Sequence, residues 1–238
     1  MNNRPTSTEE LIYFGLTHPF DCSYLSGQQE QLLTLTDYEI DLSLYERLLS
    51  LGFRRNGSAI YKPHCPACAE CKPIRIDVDE FKLSKRQKRT LKKNEQFTWK
   101  LVDQNKEEYF QLYQDYIEAR HSDGPMYPAD KNQYEQFLLC SWLPDSFIEI
   151  YDENKLIGVA VTDILKNSVS AIYSFFDNDY ADYSLGSFMI LVQIELAQQT
   201  NKQYVYLGYQ IDECRKMNYK KLYRPFEVLT DQGWQRHN

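Results

Sequence analysis

The stretch FIEIYDENKLIGVAVTDILKNSVSAIYSFFDNDYADYSLGSFMILVQIELAQQTNKQYVYLGY, which runs from Phe147 to Tyr209, decides the fold. Runs rich in Ile, Val, Tyr and Phe are separated by short polar turns, a pattern typical of strands. One longer segment instead repeats its apolar residues at helical spacing. The stretch therefore predicts, in order, a hairpin, a third strand, a polar loop, a helix and a fourth strand, over residues 147–164, 169–176, 177–183, 185–199 and 204–209.

Three antiparallel strands followed by a crossover helix and a further strand are the pattern of a GNAT-like acyltransferase core. The fold class predicted is therefore α+β, with a mixed and mainly antiparallel sheet. In that architecture the loop before the crossover helix presents backbone N–H groups to a phosphate or a carbonyl oxygen. Here the loop contains Ser184 and Gly186, which are candidate catalytic positions. An ordinary N-cap serine and a glycine that allows close packing are the alternative interpretation.

The 238 residues allow one large domain or two small ones, and they can bury a core without disulfides. We predict a small cysteine-containing α+β domain over 1–80, a basic connecting helix over 81–97 and the GNAT-like domain over 98–238. A mean hydropathy of −0.60 is not that of a membrane-spanning chain. The polar residues 1–10 lack the apolar core of a secretory signal. The sequence thus predicts a cytoplasmic protein without a membrane partner.

Charge is unevenly distributed along this acidic chain, whose formal net charge is −7. The segment 82–93 contains no acid and seven of the 27 cations, namely Lys82, Lys85, Arg86, Lys88, Arg89, Lys92 and Lys93. A second run without acids, 215–224, contains Arg215, Lys216, Lys220, Lys221 and Arg224. Two basic patches on an acidic body can hold a polyanion in one orientation. A solvated helix face is the alternative for either run alone.

Three of the six cysteines lie within seven residues, in the pattern C-x-x-C-x-x-C formed by Cys65, Cys68 and Cys71. This spacing lets thiolates converge on one ion, and a closed zinc site needs a fourth ligand. Cys22 is the candidate for that ligand, with His64 as a substitute. An iron–sulfur cluster is also compatible with the spacing. The further alternative is a loop of reduced cysteines without a metal.

Seven ordered blocks of the sequence closely resemble the bacterial aspartate/glutamate leucyltransferases, which are relatives of the arginyl-tRNA–protein transferases. The resemblance covers about Tyr13 to Trp234, and the one departure noted is Ser26, where proline is expected after Tyr-Leu. The blocks are DCSYLSGQ (21–28), LGFRRNGSAIYKPHCPACAECKPIRI (51–76), ARHSDGPM (119–126), SAIYSFFD (170–177), SLGSFMILVQI (184–194), YVYLGYQI (204–211) and CRKMNYKKLYRP (214–225).

The resemblance implies an enzyme that takes leucine from leucyl-tRNA and joins it to the N-terminal Asp or Glu of a protein, which marks that protein for N-degron degradation. An arginyl donor, or an acyl-CoA donor on the same core, is the alternative activity. A metal-containing RNA-binding module with an inactive core is the non-enzymatic alternative. DNA and membranes are not expected partners, and the chemistry requires no cofactor.

Aminolysis of an activated ester needs a proton acceptor more than a nucleophilic triad. Asp163 and Asp177, near the ends of central strands, are the candidates for that acceptor, and a solvated surface aspartate is the alternative for each. A cation must bind the acidic side chain of the acceptor, for which Arg75 and Arg120, the latter beside His121, are candidates. Lys216 and Lys220 serve either that side chain or the tRNA end.

The terminal adenosine of the tRNA needs an aromatic platform, and tyrosines near the predicted strand ends supply candidates. These are Tyr173, Tyr206 and Tyr209, each of which could instead pack in the core. The basic segment 82–93 is expected to hold the acceptor stem through its phosphates, and Arg224 is included in the same surface. Such contacts supply affinity without sequence specificity.

Overall fold

The computed structural model describes residues 11–36 and 39–238, so the polar stretch 1–10 lies outside the described residues. The described chain contains an eight-stranded sheet, a four-stranded sheet and a two-stranded hairpin. Its strands are β1 (Tyr13–Leu16), β2 (Phe20–Asp21), β3 (Gln29–Glu30), β4 (Leu32–Thr36), β5 (Arg54–Asn56), β6 (Ala59–Pro63), β7 (Lys72–Asp77), β8 (Thr98–Val102), β9 (Phe147–Asp152), β10 (Lys155–Ile164), β11 (Ser168–Phe176), β12 (Tyr204–Gln210), β13 (Phe226–Thr230) and β14 (Gly233–His237).

Five α-helices accompany these strands. They are α1 (Leu42–Ser50), α2 (Lys85–Lys93), α3 (Glu107–Arg120), α4 (Lys131–Leu138) and α5 (Leu185–Gln199). Three of them begin at short polar side chains. Asp41 accepts the Leu44 N–H before α1, Ser84 the Gln87 N–H before α2, and Asp130 the Gln133 N–H before α4. Such caps satisfy amides that have no partner within the helix.

The large sheet has the order β14-β13-β7-β12-β11-β10-β9-β8, and all its pairs are antiparallel except β11 with β12. Helix α5 crosses over between these two strands, as a parallel pair requires. The α+β class and the antiparallel strands followed by a crossover helix are thus confirmed. Buried side chains alternate along the central strands, so that Ile148 and Ile150 pack with α5 while Phe147 packs with α3 and α4.

Strand β7 lies between β12 and β13, in the interior of the large sheet. Its residues Ile74, Arg75 and Ile76 are all buried, so the strand is covered on both faces. The sequence alternates apolar and polar residues here, which instead predicts a half-buried strand within the N-terminal unit. Because β7 belongs to the eight-stranded sheet, a boundary near residue 80 does not separate the two sheets.

The elements predicted over 147–209 are present with boundaries that differ by at most a few residues. Two other regions differ from what the sequence predicts. The basic run after Asp212 predicts a helix, but the structure has a series of turns there, with a 3-10 turn at Asn218–Leu222. Residues 1–30, which Pro19 and Gly27 interrupt, predict irregular structure, but their described part contains β1 to β3. Within the described ranges, the structure has no helix of the length and apolarity needed to cross a bilayer.

Candidate functional site

The parallel strands β11 and β12 separate after a short contact, which opens a gap that we call the split. They pair only between Ser168–Ser170 and Tyr204–Tyr206, although both strands continue beyond these residues. Gly208 follows a register shift in β12 and has φ of +79°, in the left-handed region that favours glycine. The split is therefore built into the sheet by a bulge rather than by a missing strand.

The side chain of Arg54, on β5 of the small sheet, enters the split. Its Nη2 donates to the Ala171 carbonyl oxygen at 2.8 Å and to that of Ile172 at 3.4 Å. Its Nη1 occupies the space beside Gly208, where a Cβ atom would lie 1.2 Å from that nitrogen. Any side chain at position 208 would thus displace the guanidinium group. Tyr61, which pairs with Arg54 across the β5–β6 hairpin, projects to the same side.

A second cation, Lys220, lies buried against the C-terminal end of β12. Its Nζ donates to the Tyr209 carbonyl oxygen and contacts the Met217 Sδ. Burial, with a smaller effect from the nearby positive charge of Arg54, lowers the pKa of Lys220 from 10.5 to about 7. The Tyr209 hydroxyl donates to the Gly52 carbonyl oxygen at 2.8 Å and so joins β12 to the small sheet. Lys220 is therefore a buried amine that titrates near neutral pH.

The cysteine loop borders this site through Cys71. Burial, together with the charges of Cys65, Cys22 and Cys68, raises the pKa of the Cys71 thiol to about 12. The four cysteines of the predicted metal site are thus neighbours. Across the described part of the chain, however, no three His, Cys, Asp or Glu side chains are placed to hold a metal ion. A metal at these four cysteines therefore stays a prediction.

On the other side of the split, aromatic side chains gather where α3 ends. The ring of Tyr173 lies 6.5 Å from that of Tyr116, and its hydroxyl is buried without a hydrogen-bond partner among the described residues. Tyr116 lies 5.3 Å from the ring of His121. Burial, and then the positive charge of Lys216, lowers the pKa of His121. The predicted residues Tyr173, His121 and Lys216 therefore do come together.

Arg120 is exposed beside this aromatic group. Its guanidinium lies 4.8 Å from the Phe176 ring centroid, and its Nε donates to the Asn178 side chain at 3.2 Å. A guanidinium placed over an aromatic ring keeps most of its donors available. Arg120 is thus positioned at the surface of the site rather than inside the split.

The two basic segments lie side by side. The Gln87 side chain on α2 donates to the Leu222 carbonyl oxygen at 3.1 Å, and the Lys82 N–H donates to that of Arg224 at 3.3 Å. The seven cations of 82–93 are all exposed, and none of them forms an ion pair with a described residue. Arg224 is exposed as well. The exposed cations of 82–93 and Arg224 therefore form one positive surface, whereas Lys221 of the second segment pairs with Asp212 and Lys220 is buried.

Asp163, Arg75 and Tyr206, which the sequence predicts as site residues, instead bind other side chains of the protein. Asp163 accepts two hydrogen bonds from the Arg55 Nε and one from its Nη2, and a fourth from the Tyr45 hydroxyl at 2.7 Å. Arg75 is paired with Glu227 at 2.6 Å, and its Nη1 donates to the Tyr206 hydroxyl. All three are buried. Their polar atoms are engaged within the protein, which favours structural roles over the predicted catalytic and substrate-binding ones.

The remaining predicted positions surround the start of α5. Burial alone would raise the pKa of Asp177, but hydrogen bonds from Lys155 and the Asp179 N–H outweigh it and lower that pKa. A carboxylate held in its charged form is a weak proton acceptor. Ser184 adopts a left-handed conformation without a side-chain capping bond. A Cβ atom at Gly186 would meet Phe176 only at 3.7 Å, so packing does not require this glycine.

Sequence reasoning missed Arg54. Two signals were available: Arg54 and Arg55 are adjacent on a strand and so point to opposite faces, and Gly208 interrupts a strand. A glycine inside a strand marks a bulge or a close approach by another group, and Arg54 is that group. The arrangement as a whole offers two cations, several phenols and a positive surface, which suits anionic and polar ligands.

The chain is similar to known proteins in sequence and, more distantly, in structure. The chain matches the family model described as "Arginine-tRNA-protein transferase, N terminus" over residues 20–89 and the corresponding C-terminus model over residues 108–230. It is 56% identical over 235 residues to "Aspartate/glutamate leucyltransferase" of Shewanella oneidensis, covering 99% of this chain and 98% of that protein. The protein of the same name from Aeromonas hydrophila is 51% identical over 95% of this chain and 96% of its own length. Among solved structures, that of FemX overlaps with a TM-score of 0.45 and 7% identity, over 83% of this chain and 79% of FemX.

Proposed function

This chain belongs to the arginine-tRNA-protein transferase family, and on that basis we propose that it transfers leucine from leucyl-tRNA to the N-terminal Asp or Glu of a protein. The amine nitrogen attacks the ester carbonyl carbon, a C–N bond forms, and the C–O bond to the terminal ribose breaks. A base takes the proton that the attacking nitrogen loses and passes it to the ribose oxygen, so the tRNA leaves with its hydroxyl restored. We further propose that the enzyme works in the cytoplasm and that its products enter N-degron degradation.

The observation that carries the proposal is the joined positive surface beside the split. Hydrogen bonds from Gln87 and Lys82 join the two basic segments, and Lys220 of the second segment donates to the Tyr209 carbonyl oxygen on β12. Lys82, α2 and Arg224 hold the acceptor stem through its phosphates, which supplies salt-dependent affinity. The esterified end then reaches the split, where Tyr173 and Tyr116 offer aromatic surface for the terminal base.

Most of the acceleration comes from holding the amine and the ester together, which can supply about 7–11 kcal/mol. The amine itself has a pKa of about 7.7–8.0, so a useful fraction is neutral near pH 7. Backbone N–H groups at the start of α5, near Ser184 and Gly186, stabilise the developing oxyanion, for which one good donor contributes about 3 kcal/mol. His121, whose pKa is lowered, is the base nearest to the aromatic group and takes the ammonium proton.

The test offers leucyl-tRNA and arginyl-tRNA separately to peptides that begin with Asp, Glu, Arg or Ala, and reads the products by mass. We expect the Asp and Glu peptides to gain one leucine residue and the other peptides to remain unchanged. Transfer of arginine instead of leucine would assign the sister specificity. Transfer from acetyl-CoA, or binding of tRNA with no peptide modified by either donor, would overturn the proposal.

A further inference from the structure

Arg54 is a partly buried cation whose donors are largely unused. Among the described residues only its Nη2 has acceptors, the carbonyl oxygens of Ala171 and Ile172, although a guanidinium has five N–H donors. The neighbouring arginines differ, because Arg55 is paired with Asp163 and Arg75 with Glu227. Among the described residues, Arg54 has no acidic partner within ion-pair distance.

A cation withdrawn from water is costly unless an anion or several acceptors replace the water. The split supplies two carbonyl oxygens, which satisfy one nitrogen of Arg54 and leave Nε and Nη1 without a described acceptor. Gly208 keeps the space beside Nη1 free of any side chain. The local structure therefore holds the guanidinium in place and leaves its charge for a ligand.

The surroundings favour a carboxylate as that ligand. Arg54 and Lys220 are the two cations of this site, and neither forms an ion pair with a described acid. Tyr61, opposite Arg54 on the hairpin, adds a phenol that can donate a hydrogen bond. Glu30 lies near Tyr61, whose pKa burial raises and Glu30 raises further, but Glu30 forms no ion pair with Arg54. Arg binds carboxylates through two parallel hydrogen bonds, which makes it selective for planar anions.

We propose that Arg54 binds the side-chain carboxylate of the acceptor's N-terminal Asp or Glu within the split, and so determines the acceptor specificity of the transfer. This inference rests on the proposed function, because it names the residue that selects the acidic acceptor. It replaces Arg75, whose guanidinium is occupied by Glu227 and Tyr206, in the role expected from the sequence. Arg120, at the outer rim, is not required for this contact.

The experiment compares kcat/KM for two peptides that differ only in their first residue, Asp or Asn, with leucyl-tRNA as the donor. The wild-type enzyme is expected to prefer Asp strongly. Arg54→Gln should lower kcat/KM for the Asp peptide about 100-fold, because it removes one partner of a desolvated charge pair. The value for the Asn peptide should change little, so that the preference for Asp disappears.

Arg54→Lys keeps the charge but not the paired donors. Its kcat/KM for the Asp peptide should therefore lie between the values of the wild type and of Arg54→Gln. It also provides a folded variant if Arg54→Gln does not fold. Arg47→Gln, at an exposed position on α1, is the matched control and should leave kcat/KM unchanged for both peptides. The KM for leucyl-tRNA should not change in the Arg54 variants.

If Arg54→Gln lowered kcat/KM by the same factor for the Asp and Asn peptides, Arg54 would only support β11, and the inference would be overturned. A rise in the KM for leucyl-tRNA with an unchanged preference for Asp would assign Arg54 to the donor and would overturn it as well. If the wild type transferred no leucine to any peptide, the proposed function itself would fail, and the inference with it.

Discussion

Arg54 and Arg55 are neighbours on β5, yet they belong to two regions with opposite properties. Arg55 points to a closed region, where Asp163 accepts two hydrogen bonds from its Nε and one from its Nη2, and where Tyr45 completes the shell of Asp163. Arg54 points to the split, where carbonyl oxygens accept from one nitrogen and no acid within 11–36 or 39–238 pairs with the guanidinium. The comparison teaches that the partner, rather than the residue type, decides whether a buried cation supports the fold or remains available to a ligand.

The largest effect is expected from breaking the closed region. Asp163→Ala would leave Arg55 buried without its counter-ion, since their side chains are only 2–3% exposed. Removing one partner of such a pair destabilises a protein by about 3–5 kcal/mol. Urea denaturation should show this loss in the free energy of unfolding, while the protein that remains folded should transfer leucine at nearly the normal rate.

The double variant Arg55→Met, Asp163→Ala serves as the control for this prediction. It removes both charges, so it should recover part of the lost stability relative to Asp163→Ala alone. A fully stable but inactive Asp163→Ala protein would instead assign Asp163 a catalytic role. The Arg55–Asp163 pair would then no longer differ in function from the split.

The next effect concerns the positive surface beside the split. Replacing Lys85, Arg86, Lys88 and Arg89 by Gln should weaken tRNA binding about tenfold to a hundredfold and make the affinity less dependent on salt, because each phosphate contact contributes to the salt slope. Filter binding at several salt concentrations measures both quantities. Lys131→Gln with Lys155→Gln, two exposed lysines outside this surface, should change neither. An unchanged slope in the α2 variant would remove α2 from the tRNA interface.

Lys220 gives a smaller effect that depends on pH. Its pKa is about 7 in the folded protein but near 10.5 when unfolded, so the unfolded chain binds more protons between these values. The free energy of unfolding should therefore rise with pH over this window, by up to about 1.4 kcal/mol per pH unit from this group. Lys220→Met should lose that rise, and denaturation at about pH 7, 8 and 9 measures it. If the free energy of unfolding depended on pH in the same way for the wild type and for Lys220→Met, Lys220 could not be a buried amine with a lowered pKa.

The smallest effect is expected at the junction of the two basic segments. Gln87→Ala removes the capping box of α2 and the hydrogen bond to the Leu222 carbonyl oxygen. A lost cap costs about 1 kcal/mol, so the start of α2 should fray and tRNA affinity should fall a few-fold. Gln111→Ala, an exposed glutamine on α3, is the comparison variant. Equal affinity for both variants would show that the junction does not position α2.

The strands and helices of 147–209 could be predicted because their signals are local: periodicity, turn residues and length. The basic surface could be anticipated for the same reason, since charge runs are visible in the chain. The roles of Arg54 and Asp163 could not, because Arg55 and Asp163 are 108 residues apart and only the fold reveals their pairing. The place of β7 was missed for a related reason, since its neighbours β12 and β13 are far away in the sequence.

The interior position of β7 also has a consequence for synthesis on the ribosome. β7 ends at Asp77, but the strands that flank it begin only at Tyr204 and Phe226. During translation the backbone N–H and C=O groups at the two edges of β7 stay unpaired until most of the chain has emerged, so they can pair with other nascent chains or bind chaperones. Bringing the partner strands closer in sequence by circular permutation should shorten that wait and reduce aggregation during expression.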